Sequence, residues 1–156
     1  MNKTLLTSLA ACLFAFLSTF SMPAVSGKTL KLEHYIEVNW LFFVGQSPCL
    51  WEGTVSGDIN GTICIASTNA TFLPNLQKFS EHWKITTIGG YEIEGDDSGV
   101  WVFSNRKWVA NGIVTNATGP WEYLIGYDMH YSGVTDGLPV PGDPLSGSGK
   151  MILSEK

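Results

Sequence analysis

Apolar and polar residues alternate at period two along most of the chain, and Gly, Asn, Asp or Pro separates the runs. These runs predict short strands at Tyr35–Val44, Leu50–Ile59, Thr62–Ser67, Trp83–Ile88, Tyr91–Glu94, Val100–Phe103, Lys107–Thr115, Glu122–Tyr131 and Lys150–Leu153. No long stretch carries the 3.6-residue apolar period. Leu76 to Trp83 (LQKFSEHW) is the best helical candidate, with a loop turn as its alternative. Strands this short and this often punctuated predict an all-β domain. The expected form is an antiparallel barrel of about eight strands, with a sandwich as the alternative. Gly53, Gly112 and Gly126 fall inside predicted strands, where they suit bulges or sharp bends of a small barrel.

Asn60-Gly61 is the sharpest turn signal, because both residues tolerate the positive φ of a type I′ turn. Such a turn places Ile59 opposite Thr62 and Gly57 opposite Cys64, with Trp51, Val55, Ile59, Cys64 and Ala66 on the core face. That register bears on Cys49 and Cys64. In an exported chain the pair would ordinarily be bridged. Yet Cys64 then faces a residue eight positions from Cys49, roughly 26 Å along a straight strand. A disulfide needs its Cα atoms within about 7 Å. Hairpin and bridge exclude each other unless Gly53 or Gly57 bends the strand. The hairpin is preferred, and Cys64 is expected as a buried, inert thiol.

The first 26 residues read as an address. Lys3 precedes an apolar run from Leu5 to Phe20, and Ala24-Val25-Ser26 supplies small residues before Gly27. This is the layout of a cleaved secretory signal peptide. Leu9 to Cys12 matches the letters of a lipobox, but most of the apolar run follows the cysteine rather than preceding it. The expected domains are therefore a signal peptide at 1–26 and a single β-barrel at 27–156, secreted or periplasmic, with no integral membrane span after cleavage. Leu138 to Ser148 (LPVPGDPLSGS) reads as a Pro/Gly loop forming a mobile rim before the last strand.

Composition narrows the partners. The chain has 156 residues with 44% hydrophobic, 15% charged and a formal charge of -5, so a packed core is affordable and the composition argues against disorder. The acidic balance argues against nucleic acid, which demands a basic footprint. It argues equally against a polybasic membrane patch and favours cationic partners. Removing Lys3 with the leader makes the mature net charge -6.

Strong catalytic motifs are missing: there is no nucleophile elbow, HExxH, phosphate loop or CxxC pair. No cofactor is expected. His34, His82 and His130 are scattered, so a zinc site would need the fold to gather them. Glu92, Glu94, Asp96 and Asp97 form the densest polar cluster. It reads as an acidic turn between two strands, with calcium binding or a Glu92/Glu94 pair for glycoside chemistry as the functional alternatives. Along Glu122–Tyr131, Tyr123, Ile125, Tyr127, Met129 and Tyr131 share one face, while Leu124, Gly126, Asp128 and His130 share the other. Tyr123 and Tyr127, with Trp101 and Trp121, are the candidates to line a ligand-holding lumen. Asp128 and His130 are the candidate acid/base pair if their face looks inward, and solvent-facing residues if it does not. Asn60, Asn69 and Asn116 open Asn-X-Thr sequons, read as glycosylation at exposed turns or as ordinary turn chemistry.

Gly99 to Gly133 (GVWVFSNRKWVANGIVTNATGPWEYLIGYDMHYSG) reads as three consecutive strands, with Ala110-Asn111-Gly112 inside one of them after Trp108. Together with the hairpin WEGTVSGDINGT, this stretch resembles the small secreted barrels of the allene oxide cyclase and dirigent-like families. The resemblance implies an eight-stranded antiparallel barrel with an apolar lumen, often in a dimer or trimer. It assigns no catalytic residue here. Three functions follow as expectations. The first is an exported, non-catalytic barrel binding a small apolar or glycan ligand. The second is a self-associating structural or interaction protein of the cell exterior, and the third a cyclase- or isomerase-type enzyme. A homo-oligomer is compatible with each.

Overall fold

The computed structural model describes residues 31–44, 48–138 and 144–156. Eight strands follow one another: β1 (Glu33–Phe43), β2 (Trp51–Gly57), β3 (Gly61–Leu73), β4 (Leu76–Thr87), β5 (Glu92–Val102), β6 (Lys107–Ala117), β7 (Asp128–Thr135) and β8 (Ser146–Ser154). Each pairs antiparallel with the next, and β8 returns to pair with β1, so the sheet closes into a barrel. Closure leaves no free edge and excludes the sandwich. The signal peptide lies outside the described residues, as does the centre of the Pro/Gly loop at 139–143.

Alternation decides what fills the barrel. Ile36, Val38, Val55, Ile63, Ile65, Ile85, Ile93, Met129, Met151 and Leu153 point inward and are buried. Each such side chain contributes about 1.5–3 kcal/mol on burial. Rings occupy the remaining space by lying on inward-facing glycines. The Trp83 indole covers Gly95, Phe79 covers Gly99 and Trp108 covers Gly133, where a Cβ would overlap the ring, and Trp108 also lies closely over Gly147. Bulges at Asn39/Phe42 in β1, Ser67/Asn69 in β3 and Glu94/Gly95 between β5 and β6 change the parity along those strands. None falls at Gly53, Gly112 or Gly126. Gly112 instead lets β6 approach Asp97, and Gly126 holds φ +92° in the connection before β7.

The Asn60-Gly61 reading is corrected. Asn60 has no positive φ, and the chain reverses over a longer turn in which Gly57 holds φ +112° and accepts a hydrogen bond from the Asn60 amide at 3.0 Å. Val55 now pairs with Gly61 and Glu52 with Cys64. This register differs from the expected one by five residues, an odd number, so every side chain of β3 changes face. Ile63 and Ile65 go into the core in place of Cys64 and Ala66. The new register also brings Cys64 close to Cys49, and the two form a disulfide with Cα atoms 5.3 Å apart. The expected free thiol is therefore corrected as well.

Two further readings change. Leu76 to Trp83 is neither helix nor turn but the first two-thirds of β4, its inward positions being Gln77, Phe79, Glu81 and Trp83. The acidic segment is no turn either: β5 runs unbroken from Glu92 to Val102 and merges two predicted strands. Conversely, Glu122–Tyr131 is not one strand. Its first part belongs to a 3-10 helix, Gly119–Leu124, opened by Pro120 within its first turn. This helix packs across one end of the barrel and sends Leu124 into the core. There Tyr123 Oη and His34 Nε2 are hydrogen-bonded at 3.0 Å, and the Trp121 and His34 rings meet edge-on. Burial holds the His34 imidazole below its ordinary range.

Candidate functional site

The barrel end opposite that helix is open. A cavity of about 220 Å³ enters there, below the ~300–1,000 Å³ of most ligand sites, which limits an occupant to about one ring system. Its lining is aromatic: Phe43 and Trp51 meet edge-on at 5.1 Å, Trp51 and Trp101 at 6.4 Å, and Trp108 and Tyr131 at 5.6 Å. The β3–β4 hairpin forms one wall, because these two strands are the longest and the hairpin closes only at Leu73 opposite Leu76. The bulge at Ser67/Asn69 turns Ala70 and Phe72 toward the cavity after Ser67. The disulfide ties the segment before β2 to β3, fixing the position from which Leu50 and Trp51 reach the lining.

Inside this apolar wall sit two carboxyl groups. Glu81 on β4 and Asp97 on β5 are direct cross-strand partners, and both point inward. Asp97 is buried, and its Oδ1 has no hydrogen-bond partner among the described residues. Glu81 is partly exposed, toward the cavity that it lines. Burial lifts Glu81 from its ordinary 4.5 to about 8, with the nearby Asp97 adding to the effect. Burial likewise lifts Asp97 from 3.8 to about 7, helped by the charge of Asp96. The Tyr131 hydroxyl is pushed well above its ordinary range by burial and by both carboxyls. The Trp108 N–H lies against that hydroxyl and draws it back slightly, but neither group, nor the Trp101 N–H, makes a hydrogen bond of good geometry among the described residues. Buried polar groups are rarely left unpaired, so this concentration marks the place where an added partner has most to contribute.

The structure scatters the residues singled out in the sequence. Trp101 lines the cavity. Trp121, Tyr123 and Tyr127 gather at the closed end, Tyr123 against both Trp121 and Tyr127. Asp128 and His130 stand on the outer face of β7, where Asp128 pairs with Lys156 at 3.6 Å and His130 with Asn111 at 2.9 Å. The face shared by Asp128 and His130 thus looks outward, and neither group reaches the lumen. Glu92, Glu94 and Asp96 point outward along β5 while Asp97 points inward, so the four do not converge. Among the described residues no group of three or more His, Cys, Asp or Glu side chains is placed to hold a metal ion. Asn60, Asn69 and Asn116 are exposed. Asn69 and Asn116 lie within β3 and β6 rather than in turns.

Glu81 is the residue that sequence reasoning missed. A period-two reading carried back from Trp83 puts it on the lumen face, but the polar letters of QKFSEH conceal that period. No protein-family model, no curated protein and no solved structure matches this chain.

Proposed function

We propose that this protein is an exported binding barrel whose lumen holds a small molecule with an apolar body and a polar group directed at Glu81 and Asp97. One observation carries the reading: an aromatic cavity open at one end is lined by Trp101, Trp108 and Tyr131, whose buried polar atoms are unpartnered among the described residues, and by Glu81, whose cross-strand partner Asp97 is buried and unpaired behind it. A barrel serving only as a scaffold gains stability from apolar residues at those positions. The likeness to the allene oxide cyclase and dirigent-like barrels belongs to the same proposal, and the closed eight-stranded architecture supports it. Export is supported by the Cys49–Cys64 disulfide, since such bonds persist in oxidising compartments.

Native mass spectrometry of protein recovered from its own host tests this reading. The expected result is a non-covalent mass of about one ring system that is lost on denaturation. The adduct should disappear in Ala70→Trp, which fills the mouth from an exposed position on the cavity wall. Protein that carries no adduct, or an adduct untouched by Ala70→Trp, refutes the lumen as the site.

A second reading rests on the rim. Phe42, Phe43, Phe72 and Leu73 are 41–66% exposed, an apolar collar suited to self-association. Sedimentation at micromolar concentration tests it, and a strict monomer removes it.

A further inference from the structure

We propose that the ligand of this lumen is an organic cation, an ammonium on an apolar body of about one ring, with its charge seated at the Glu81–Asp97 pair beneath the aromatic wall. The inference rests on the lumen being the binding site and goes beyond it by naming the ligand's chemistry.

The charge balance of the barrel carries the argument. Two carboxyls face one another across adjacent strands, and no cation of the described chain reaches them. Lys31, Lys78, Arg106, Lys107, Lys150 and Lys156 are exposed. Lys84, the least exposed lysine, lies on the outer face of β4 and pairs with Glu92 at 3.1 Å. His82 is likewise on the outer face, bonded to Asp96 at 2.9 Å. His34 is at the closed end with Tyr123. A buried carboxyl without a counter-charge either keeps its proton or waits for a cation.

The walls fit the second outcome. Phe79, Trp101, Trp108 and Tyr131 line the same cavity as Glu81, and their π-systems attract a desolvated ammonium. Once ionised, the carboxylates become acceptors only. The Tyr131 hydroxyl, which feels both carboxyls and has no acceptor among the described residues, is then a donor available to them. A cation thus accounts for the carboxyls and the unpaired donor together, whereas a neutral apolar ligand accounts for neither. The acidic chain favours the approach of the same class of ligand.

Binding is expected to expel protons, because in the empty lumen burial keeps Glu81 largely protonated at neutral pH. Among the described residues facing the pair, only Tyr131 on β7 also titrates. β3 presents Ile65 and Ser67, and β6 presents Trp108, Ala110 and Gly112. β1, β2 and β8 present apolar residues or glycine.

The test is isothermal titration calorimetry of the full-length protein with phenethylammonium and with 2-phenylethanol, its neutral counterpart. At pH 8 the cation should bind at least tenfold more tightly than the alcohol. Its affinity should rise about tenfold between pH 6 and 8, with proton release shown by repeating the titration in buffers of different ionisation enthalpy. The double variant Glu81→Gln/Asp97→Asn should lose the difference between the two ligands. Circular dichroism on that variant establishes that the barrel is intact. Equal or tighter binding of the alcohol to the native protein overturns the cation proposal but leaves the lumen reading in place. A cation preference that survives the double variant overturns it too. If neither ligand binds and no adduct is carried from the host, both proposals fall.

Discussion

Replacing Glu81 by Gln keeps the shape of the side chain and removes its titration, so it isolates what the buried carboxyl costs. In the unfolded chain Glu81 ionises at its ordinary 4.5, whereas in the barrel it ionises at about 8. Below pH 4.5 both states are protonated and the group is neutral in the balance. Between 4.5 and 8 the unfolded state loses its proton and the folded state does not, so stability falls as pH rises. Above 8 the loss is complete. Each pH unit in that window is worth about 1.4 kcal/mol, which sets an upper bound of about 5 kcal/mol. Water reaching a carboxyl that faces a cavity lowers the expected effect to about 2–4 kcal/mol. Asp97 adds a similar slope that ends near pH 7 and remains in the variant. Urea denaturation followed by tryptophan fluorescence at fixed pH reads these differences directly. Glu81→Gln should match the native protein at pH 4.5 and exceed it by 2–4 kcal/mol at pH 8. Parallel stability profiles for the two proteins between pH 5 and 8 refute a Glu81 carboxyl desolvated at the cavity wall.

Other predictions concern the frame around the site. The Cys49–Cys64 bridge joins residues 15 apart, so the double Cys→Ser variant should lose about 3 kcal/mol in urea. Two titratable thiols in denaturant without reductant would show that the bridge does not form. Gly133→Ala drives a Cβ into the Trp108 ring and the Ser148 carbonyl and should destabilise by about 1–3 kcal/mol. Gly137→Ala, which meets only Leu145 Cδ1 at 3.6 Å, should change stability little, and equal losses at both positions contradict the seating of Trp108. Asp128→Ala and His130→Ala lie on the exposed outer face and should each shift stability by under about 1 kcal/mol. Neither should alter ligand affinity in calorimetry, and a tenfold loss from either would place the site outside the lumen.

Period-two alternation is a local property of the chain, so the all-β class and the positions of β1, β2, β6 and β8 are legible in the sequence, whereas the nine alternating runs become eight strands because two of them merge into β5. Ile36 and Val38 on β1, or Met129 and Tyr131 on β7, show their facing through neighbours two residues away. Register is not local. The Asn60-Gly61 pair fits a tight turn by its own chemistry, but packing Ile63 and Ile65 inward outweighs that preference and requires a longer reversal at Gly57. The disulfide followed from the same choice, since only the observed register brings Cys64 near Cys49. The lumen site was hidden for a related reason. Gln77 and Glu81 on β4, and Gly95, Asp97 and Gly99 on β5, occupy inward positions where alternation leads one to expect apolar side chains. Read along the chain they resemble a helix fragment and an acidic turn. The β4–β5 hairpin sets Glu81 against Asp97, and only closure of the barrel turns that face into an interior, where burial strongly perturbs residues that look solvated along the chain.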